Sequence, residues 1–175
     1  MKEPLLINKR KKIINMVLFG YEDNRIEVGE LDKNHPAYSG KGSKGLFSNS
    51  KIPANTPLGL YSGIRKKNNN KFNNFAYSLT ENHIIDATGY KGKIPYANSA
   101  EDVGLLLKAR QNNEKDNIIR ESEKIKNNKK NNIITIKILI NKYPFLVTTT
   151  RRNIRAGEEL ITQYGLAYWL YHPIN

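Results

Sequence analysis

Short apolar segments divided by turn-forming residues constrain the fold of this chain more than any other feature. The strongest runs from Ile133 to Ile140, and a turn at Asn141-Lys-Tyr-Pro144 leads to a second strand from Phe145 to Thr150. Runs rich in Ile, Val, Thr and aromatic residues, bounded by Gly, Pro or Asn, are typical of strands. Shorter candidates lie at 13–19, 25–31, 75–79 and 83–87. We therefore predict a β-rich (α+β) fold of several small antiparallel sheets.

Two polar stretches interrupt this pattern. Residues 65–74 are rich in Asn and Lys, which predicts a solvated loop. Residues 111–132 are dominated by Asn, Lys and Glu, which predicts an exposed helix or a loop that leaves the core. Before the second stretch, Ser99-Ala-Glu-Asp102 is a capping signal for a short helix from Val103 through Arg110.

The composition limits the available chemistry. The 175 residues carry a formal net charge of +13 and include no cysteine. Without cysteine the chain has no disulfide, no thiol nucleophile and no thiolate ligand for zinc. The positive charge favours acidic partners, and the basic loops are a candidate surface for nucleic acid.

The expected location follows from the apolar runs and from one basic cluster. No apolar run approaches the ~20 residues that a membrane span needs, so we expect a soluble, intracellular protein with no membrane partner. Lys9-Arg-Lys-Lys12 has the composition of a nuclear-targeting cluster, which leaves a nuclear location open.

The C-terminal stretch contains the first candidate for a functional side chain. Tyr164 precedes Gly165, whose missing Cβ allows a bend that would aim the tyrosine hydroxyl into a pocket. Tyr168 and Trp169 supply flat walls suited to a cation or a cofactor ring. Residues 39–47 add a glycine-rich loop that exposes backbone groups to a ligand. A final strand with aromatic packing and a plain surface hairpin explain the same residues, so both interpretations stay open.

Four stretches, in this order, resemble the motifs of SET-domain protein lysine methyltransferases. They are Ser43-Lys-Gly-Leu-Phe47 with Leu60-Tyr-Ser-Gly63, Tyr77-Ser-Leu79 with Ile85-Asp-Ala87, Tyr96-Ala-Asn-Ser99, and Ile154 to Leu160 with Tyr164-Gly165 and Tyr168-Trp169. The ending is similar to that of short viral SET proteins without post-SET cysteines. The resemblance implies a SET-type fold with a knot-like C-terminal threading. It covers residues 25–172, with 1–24 as an N-terminal extension and 111–132 as a polar insertion.

The resemblance also implies an activity: transfer of methyl groups from S-adenosylmethionine to lysine Nε of a protein, with S-adenosylhomocysteine as the product. A histone or another basic protein is the expected substrate. The implied catalytic residue is Tyr164, and the lysine channel would contain Tyr61 and Tyr168. The residues implied in cofactor binding are Lys44, Gly45, Tyr96, Asn98, Ser99 and Trp169. No metal is implied, and the three histidines are expected on the surface.

The chain departs from the family pattern beside Asn98. Pro95 stands where the family has Arg, and Ser99 follows the Asn directly where the family has His. These departures support an alternative, a catalytically weak SET-like module that binds cofactor, a protein or nucleic acid. If the resemblance fails, Tyr61 would be a core residue of a strand and Asn98 a cap or turn residue.

Three further expectations concern polar residues of the domain. Glu158 and Glu159 are neighbours on a strand, so their side chains should point to opposite faces and not form an acid pair. The Asn that follows the central motif in the family matches Asn132, and Asn113 competes for that match. Asp86 is expected to be structural.

Overall fold

The computed structural model describes residues 3–68, 75–99, 103–125, 130–164 and 170. The strands are β1 Ile26–Glu30, β2 Lys44–Ser48, β3 Pro57–Leu60, β4 Ile64–Lys67, β5 Ala76–Thr80, β6 His83–Asp86, β7 Asn98–Ser99, β8 Ile133–Ile140, β9 Tyr143–Thr150 and β10 Ile161–Thr162. The helices are α1 Glu3–Phe19, α2 Val103–Gln111 and α3 Lys115–Ile125, with a 3-10 turn at Ile94–Tyr96.

The strands form four small sheets, which confirms the β-rich (α+β) class with several antiparallel sheets. Within the described residues, β1 pairs with β2, the order β3-β9-β8 forms a second sheet, and β4-β6-β5 forms a third. The fourth is a parallel pair of β7 with β10. This pair brings Ile161 and Thr162 beside Asn98 and Ser99. The knot-like threading and the division at residue 25 stay predictions.

The main core lies where these sheets meet. Its buried members come from both halves of the sequence: Ile26, Leu46, Ile52, Leu58, Ile94, Ala97, Ile133, Ile154 and Leu160. Leu160 N donates to Leu46 O at 2.7 Å, so the segment leading into β10 is held against β2. The core therefore fixes β2, β7 and β10 relative to one another, and these strands carry the predicted site.

The predicted strand at 13–19 is wrong, because these residues complete α1. Met16 is fully buried, and half-buried Ile13 and Lys12 precede it at the spacing of a helical face. The helix ends at Gly20, which has a φ of +64° and donates its N–H to Met16 O. A glycine in this left-handed conformation is a common helix end. Packing of Met16 thus outweighed the β propensity of the Ile and Val residues.

A buried carboxylate ties α1 to β1. Asp23 is 1% exposed, and it accepts hydrogen bonds from Lys12 at 2.6 Å and from Arg25 at 2.8 Å. Burial alone would raise the pKa of Asp23, but the bonds from these two cations outweigh it and hold the pKa well below its ordinary value. The basic cluster at 9–12 is therefore used in part for folding.

The other segment boundaries are close to those predicted, with two corrections. The turn before β9 occupies Asn141 and Lys142, whose φ angles of 50° and 70° are typical of a two-residue hairpin, so the strand already begins at Tyr143. Residues 64–67, predicted to lie mostly in a loop, form the exposed edge strand β4. Residues 69–74 lie outside the described residues. Asp86 is structural, since it accepts hydrogen bonds from Lys66 and from Thr88 N.

The part of the polar insertion from Lys115 to Ile125 forms α3, and one face of this helix is buried. Ile118 of α3 is 2% exposed and packs with Leu106 and Ala109 of α2. The predicted helix after residue 102 is confirmed as α2. None of the described helices has both the length and the apolar character required to cross a bilayer.

Candidate active site

Tyr164 follows β10 and reaches the segment before β7. Its hydroxyl donates to Ala97 O at 3.3 Å. The half-buried ring packs against the buried α2–α3 cluster of Leu106, Ala109 and Ile118. Because the parallel β7–β10 pair fixes the backbone on both sides of this contact, the Tyr164 hydroxyl is held next to the Asn98 motif.

An open cleft of about 550 Å³ lies beside Tyr164, and we call it the tyrosine cleft. Its lining comes from β5, α3, β8 and the segment after β10: Tyr77, Ile119, Ser122, Glu123, Asn131, Ile133, Ile134, Thr135, Arg151, Thr162, Gln163 and Tyr164. Two tyrosines that lie far apart in the sequence, Tyr77 and Tyr164, thus line one opening.

Tyr77, which lines the cleft, packs against a third tyrosine, Tyr61. The rings of Tyr61 and Tyr77 are 5.1 Å apart at an angle of 48°, a tilted aromatic pair. The Tyr77 hydroxyl donates to Thr135 O at 3.4 Å. Burial raises the pKa of Tyr77, so its phenol stays neutral at physiological pH. Tyr77 therefore contributes an uncharged aromatic side chain to the lining of the cleft, and Tyr61 packs against it.

Polar residues gather around the segment that Tyr164 contacts through Ala97 O, and we call Asn98, Glu159 and His35 the polar clamp. Asn98 Nδ2 donates to Glu159 Oε1 at 2.9 Å and lies 3.4 Å from Lys44 O. His35 Nε2 is 2.8 Å from the second oxygen, Glu159 Oε2. One carboxylate thus joins the loop before β2 to the β7 segment.

Gly45 lies directly against this clamp. A Cβ at position 45 would come within 3.0 Å of Glu159 Oε1 and 2.8 Å of the Leu31 side chain. Only glycine fits here without displacing a neighbour. The Lys44 ammonium lies 5.8 Å from the centre of the Tyr96 ring, within reach of a cation–π contact.

Asn132 holds the backbone around Glu159, one residue of the polar clamp, in place. It is 1% exposed, and its Nδ2 donates to Glu159 O at 2.8 Å while its Oδ1 accepts from Ile161 N at 2.8 Å. Its side chain thereby connects the start of β8 to the strand that leads to Tyr164. Asn113, the competing match, has a φ of 58° in the turn between α2 and α3.

The adjacent carboxylates face different partners, as predicted. Glu158 accepts from Arg152, Arg155 N and Asn132, whereas Glu159 contacts Asn98 and His35. Burial opposes the ionisation of Glu158, but its three hydrogen bonds outweigh this effect and lower its pKa below the ordinary value. The two residues therefore form no shared acid pair.

The structure brings together most of the predicted site residues that it describes. Tyr164, Asn98, Ser99, Lys44, Gly45 and Tyr96 meet around β2, β7 and β10. Tyr61 packs against Tyr77 but lines a separate opening, and it is not among the residues that line the tyrosine cleft. Tyr168 and Trp169 lie outside the described residues. Whether any of these residues acts in binding or catalysis stays a prediction.

Sequence reasoning missed two contributions to this site. His35 was expected on the surface, but its side chain is 23% exposed and contacts Glu159 across 124 residues of sequence. The α3 helix, expected to be a solvated insertion, lines the cleft and packs behind Tyr164. The spacing of Ile118 and Ser122 was the one local signal for its buried face. Among the described residues, no group of three or more His, Asp or Glu side chains is arranged to hold a metal.

No known family model matches this sequence, and no curated protein matches it. A solved structure with a similar fold is ctPRC2 in an autoinhibited conformation bound to S-adenosylmethionine. The TM-score is 0.51 at 19% sequence identity over 80% of this chain. The chain spans 15% of the length of that larger chain. At this identity the likeness concerns the fold alone, and it agrees with the SET-like fold that the motifs imply.

Proposed function

We propose that this chain transfers methyl groups from S-adenosylmethionine to the Nε of lysine in a protein. The observation that carries the proposal is the Tyr164 hydroxyl, which donates to Ala97 O at 3.3 Å, one residue before Asn98 of the polar clamp, while Tyr164 also lines the tyrosine cleft. A methyl donor on the polar side and an amine on the aromatic side would meet there. The likeness in fold to a protein bound to S-adenosylmethionine supports the same assignment.

Asn98 of the polar clamp and the neighbouring Lys44 suit the amino acid end of S-adenosylmethionine. That end carries an ammonium, which needs acceptors, and a carboxylate, which needs donors or a cation. Lys44 O and Asn98 Oδ1 are acceptors, while the Lys44 ammonium and backbone N–H groups are donors. Gly45 contributes by allowing close packing, because the side chains of Leu31, Glu159 and Phe47 fill the space that a Cβ would take and so keep Glu159 next to the Lys44 backbone.

The aromatic residues would act on the incoming lysine. S-adenosylmethionine supplies an electrophilic methyl group when bound. Tyr61 and Tyr77 would form an uncharged wall that desolvates the lysine and lowers its pKa, which favours the neutral, nucleophilic amine. Tyr164 and Ala97 O would orient this amine, and good alignment of two reactants contributes on the order of 7–11 kcal/mol to a barrier.

Comparing wild type with Tyr164→Phe tests the proposal. We expect transfer of radiolabelled methyl from S-adenosylmethionine to histones or lysine peptides, and a loss of roughly 10²-fold in rate when the hydroxyl is removed. Tyr143→Phe is the matched control, since this tyrosine is 67% exposed on β9, and it should keep the wild-type rate. Equal rates for wild type and Tyr164→Phe would remove Tyr164 from the mechanism.

The alternative is a SET-like module that binds without turnover, and two departures from the family motif favour it: the His after Asn98 is absent, and Pro95 stands where the family has Arg. In the structure the Ser99 backbone pairs with Thr162 of β10, so this position serves the sheet. Calorimetry with S-adenosylmethionine separates the two functions. Binding without methyl transfer to any lysine supports the module, and absence of binding removes both cofactor roles.

Nucleic acid remains a proposed partner of the basic loops. Lys66, one of the cations that would contact phosphate, already pairs with Asp86 at 2.6 Å, whereas Lys67 is exposed. Such binding should weaken steeply with salt.

A further inference from the structure

The α3 helix forms one wall of the tyrosine cleft, opposite the edge of β8. Ile119, Ser122 and Glu123 line this wall. Residues at i, i+3 and i+4 of a helix lie on one face, so these three side chains present a continuous surface to the opening. The wall is built from the segment that the sequence marks as a polar insertion.

This wall is attached to the residue proposed to be catalytic. Gln163 Nε2 donates to Ser122 O at 2.9 Å, one residue before Tyr164. Ile118, on the adjoining face of α3, packs in the cluster that contacts the Tyr164 ring. A group bound against α3 is therefore held at a defined position relative to the Tyr164 hydroxyl.

The charges along the cleft are separated. Glu123 lies on the α3 wall and forms no ion pair among the side chains that the structure describes. Arg151 lies on the β9 side, where Asn131 accepts a hydrogen bond from its guanidinium at 3.0 Å in the amide orientation that satisfies both neighbours. In a chain of net charge +13, Glu123 is the acidic side chain that lines this cleft.

We infer that α3 is a substrate-selecting wall and that Glu123 recognises a basic residue near the target lysine. This inference rests on the proposed function, because it assumes that the cleft receives a lysine-containing segment. A cation beside Glu123 would gain an ion pair, whereas an acidic side chain would meet a like charge. The substrate class is thus a peptide with arginine or lysine next to the modified lysine.

A positional set of lysine peptides tests the inference. Each peptide has one target lysine and carries Arg, Ala or Glu at a single position from three residues before it to three residues after it. For the full chain we expect a preference for Arg over Ala at one position, of roughly fivefold in kcat/KM, the upper end for an exposed ion pair. Glu123→Gln should abolish this preference, and Glu123→Lys should reverse it in favour of Glu.

Asp116→Asn is the matched control. Asp116 lies on the same face of α3 two turns earlier, about 10 Å away, and does not line the cleft. It changes the net charge by the same amount as Glu123→Gln, so it should keep the wild-type preference. A preference that survives Glu123→Gln, or that Asp116→Asn removes equally, would overturn the inference.

Binding of the same peptides, labelled with fluorescein and followed by anisotropy, separates this inference from the proposed reaction. An Arg preference in binding that depends on Glu123, without methyl transfer, supports the selecting wall and rejects the methyltransferase. Methyl transfer with no dependence on the neighbouring residues supports the enzyme and rejects the wall. Neither binding nor transfer rejects both.

Discussion

Two regions near Tyr164 differ: Asn98, Glu159 and His35 are joined by hydrogen bonds between side chains, whereas the tyrosine cleft is open and lined by aromatic, aliphatic and polar side chains together. In the clamp, each partner restricts the position of the next, because a buried polar group left unpaired is costly. The wall of the cleft relies on packing, which tolerates different side chains more readily. The difference suits a constant ligand on the polar side and a variable protein segment on the other.

The largest loss of stability is expected from removal of the Asn132 side chain, which contacts the backbone next to the polar clamp. In Asn132→Ala, the buried Ile161 N–H and Glu159 O both lose a partner, so we expect a loss of roughly 2–4 kcal/mol in the free energy of unfolding. Urea denaturation measures it. Asn112→Ala, which removes one exposed hydrogen bond to Glu114, should change stability by less than about 0.5 kcal/mol. Similar losses of stability in the two variants would contradict the importance of the Asn132 hydrogen bonds next to the polar clamp.

The second-largest effect concerns Glu158, whose contribution to the free energy of unfolding should fall on acidification. The folded pKa of Glu158 lies below its ordinary value of 4.5, so its ionised form stabilises the fold. This contribution is complete above that value and is lost as the pH falls towards the lowered folded pKa. Glu158→Gln should therefore be less stable than wild type at pH 7, and the difference in urea midpoint should shrink on going to pH 3.

Wild type and Glu158→Gln share every other titrating group, including Asp23, so their difference isolates Glu158. A difference that stays constant or grows on acidification would contradict the lowered pKa.

The smallest effect is expected on the aromatic side. Tyr77→Phe removes only a 3.4 Å hydrogen bond to Thr135 O and keeps the ring against Tyr61. We expect a stability loss of about 1 kcal/mol or less and a rate of methyl transfer within tenfold of wild type. A rate loss as large as that of Tyr164→Phe would show that the Tyr77 hydroxyl, and not just its ring, is required.

Local pattern was sufficient for much of the fold. Alternation and turn residues predicted β1, β5, β6, β8 and β9 to within a few residues, since strand geometry imposes a two-residue period on any half-buried segment. The same reasoning failed at α1. Its Ile and Val residues favour strands, and the deciding contact, burial of Met16 against the sheet, is not visible locally.

The candidate site also has parts that local sequence predicts and parts that it does not. The motifs around Asn98 and Tyr164 could be recognised from sequence because each is a short run with fixed spacing. The contact of His35 with Glu159 and the packing of α3 behind Tyr164 join residues far apart in the chain, and no local period encodes them. The sequence by itself therefore determined the fold class and the candidate tyrosine. Only the tertiary structure, through long-range packing and pairing of buried polar groups, decided what surrounds that tyrosine.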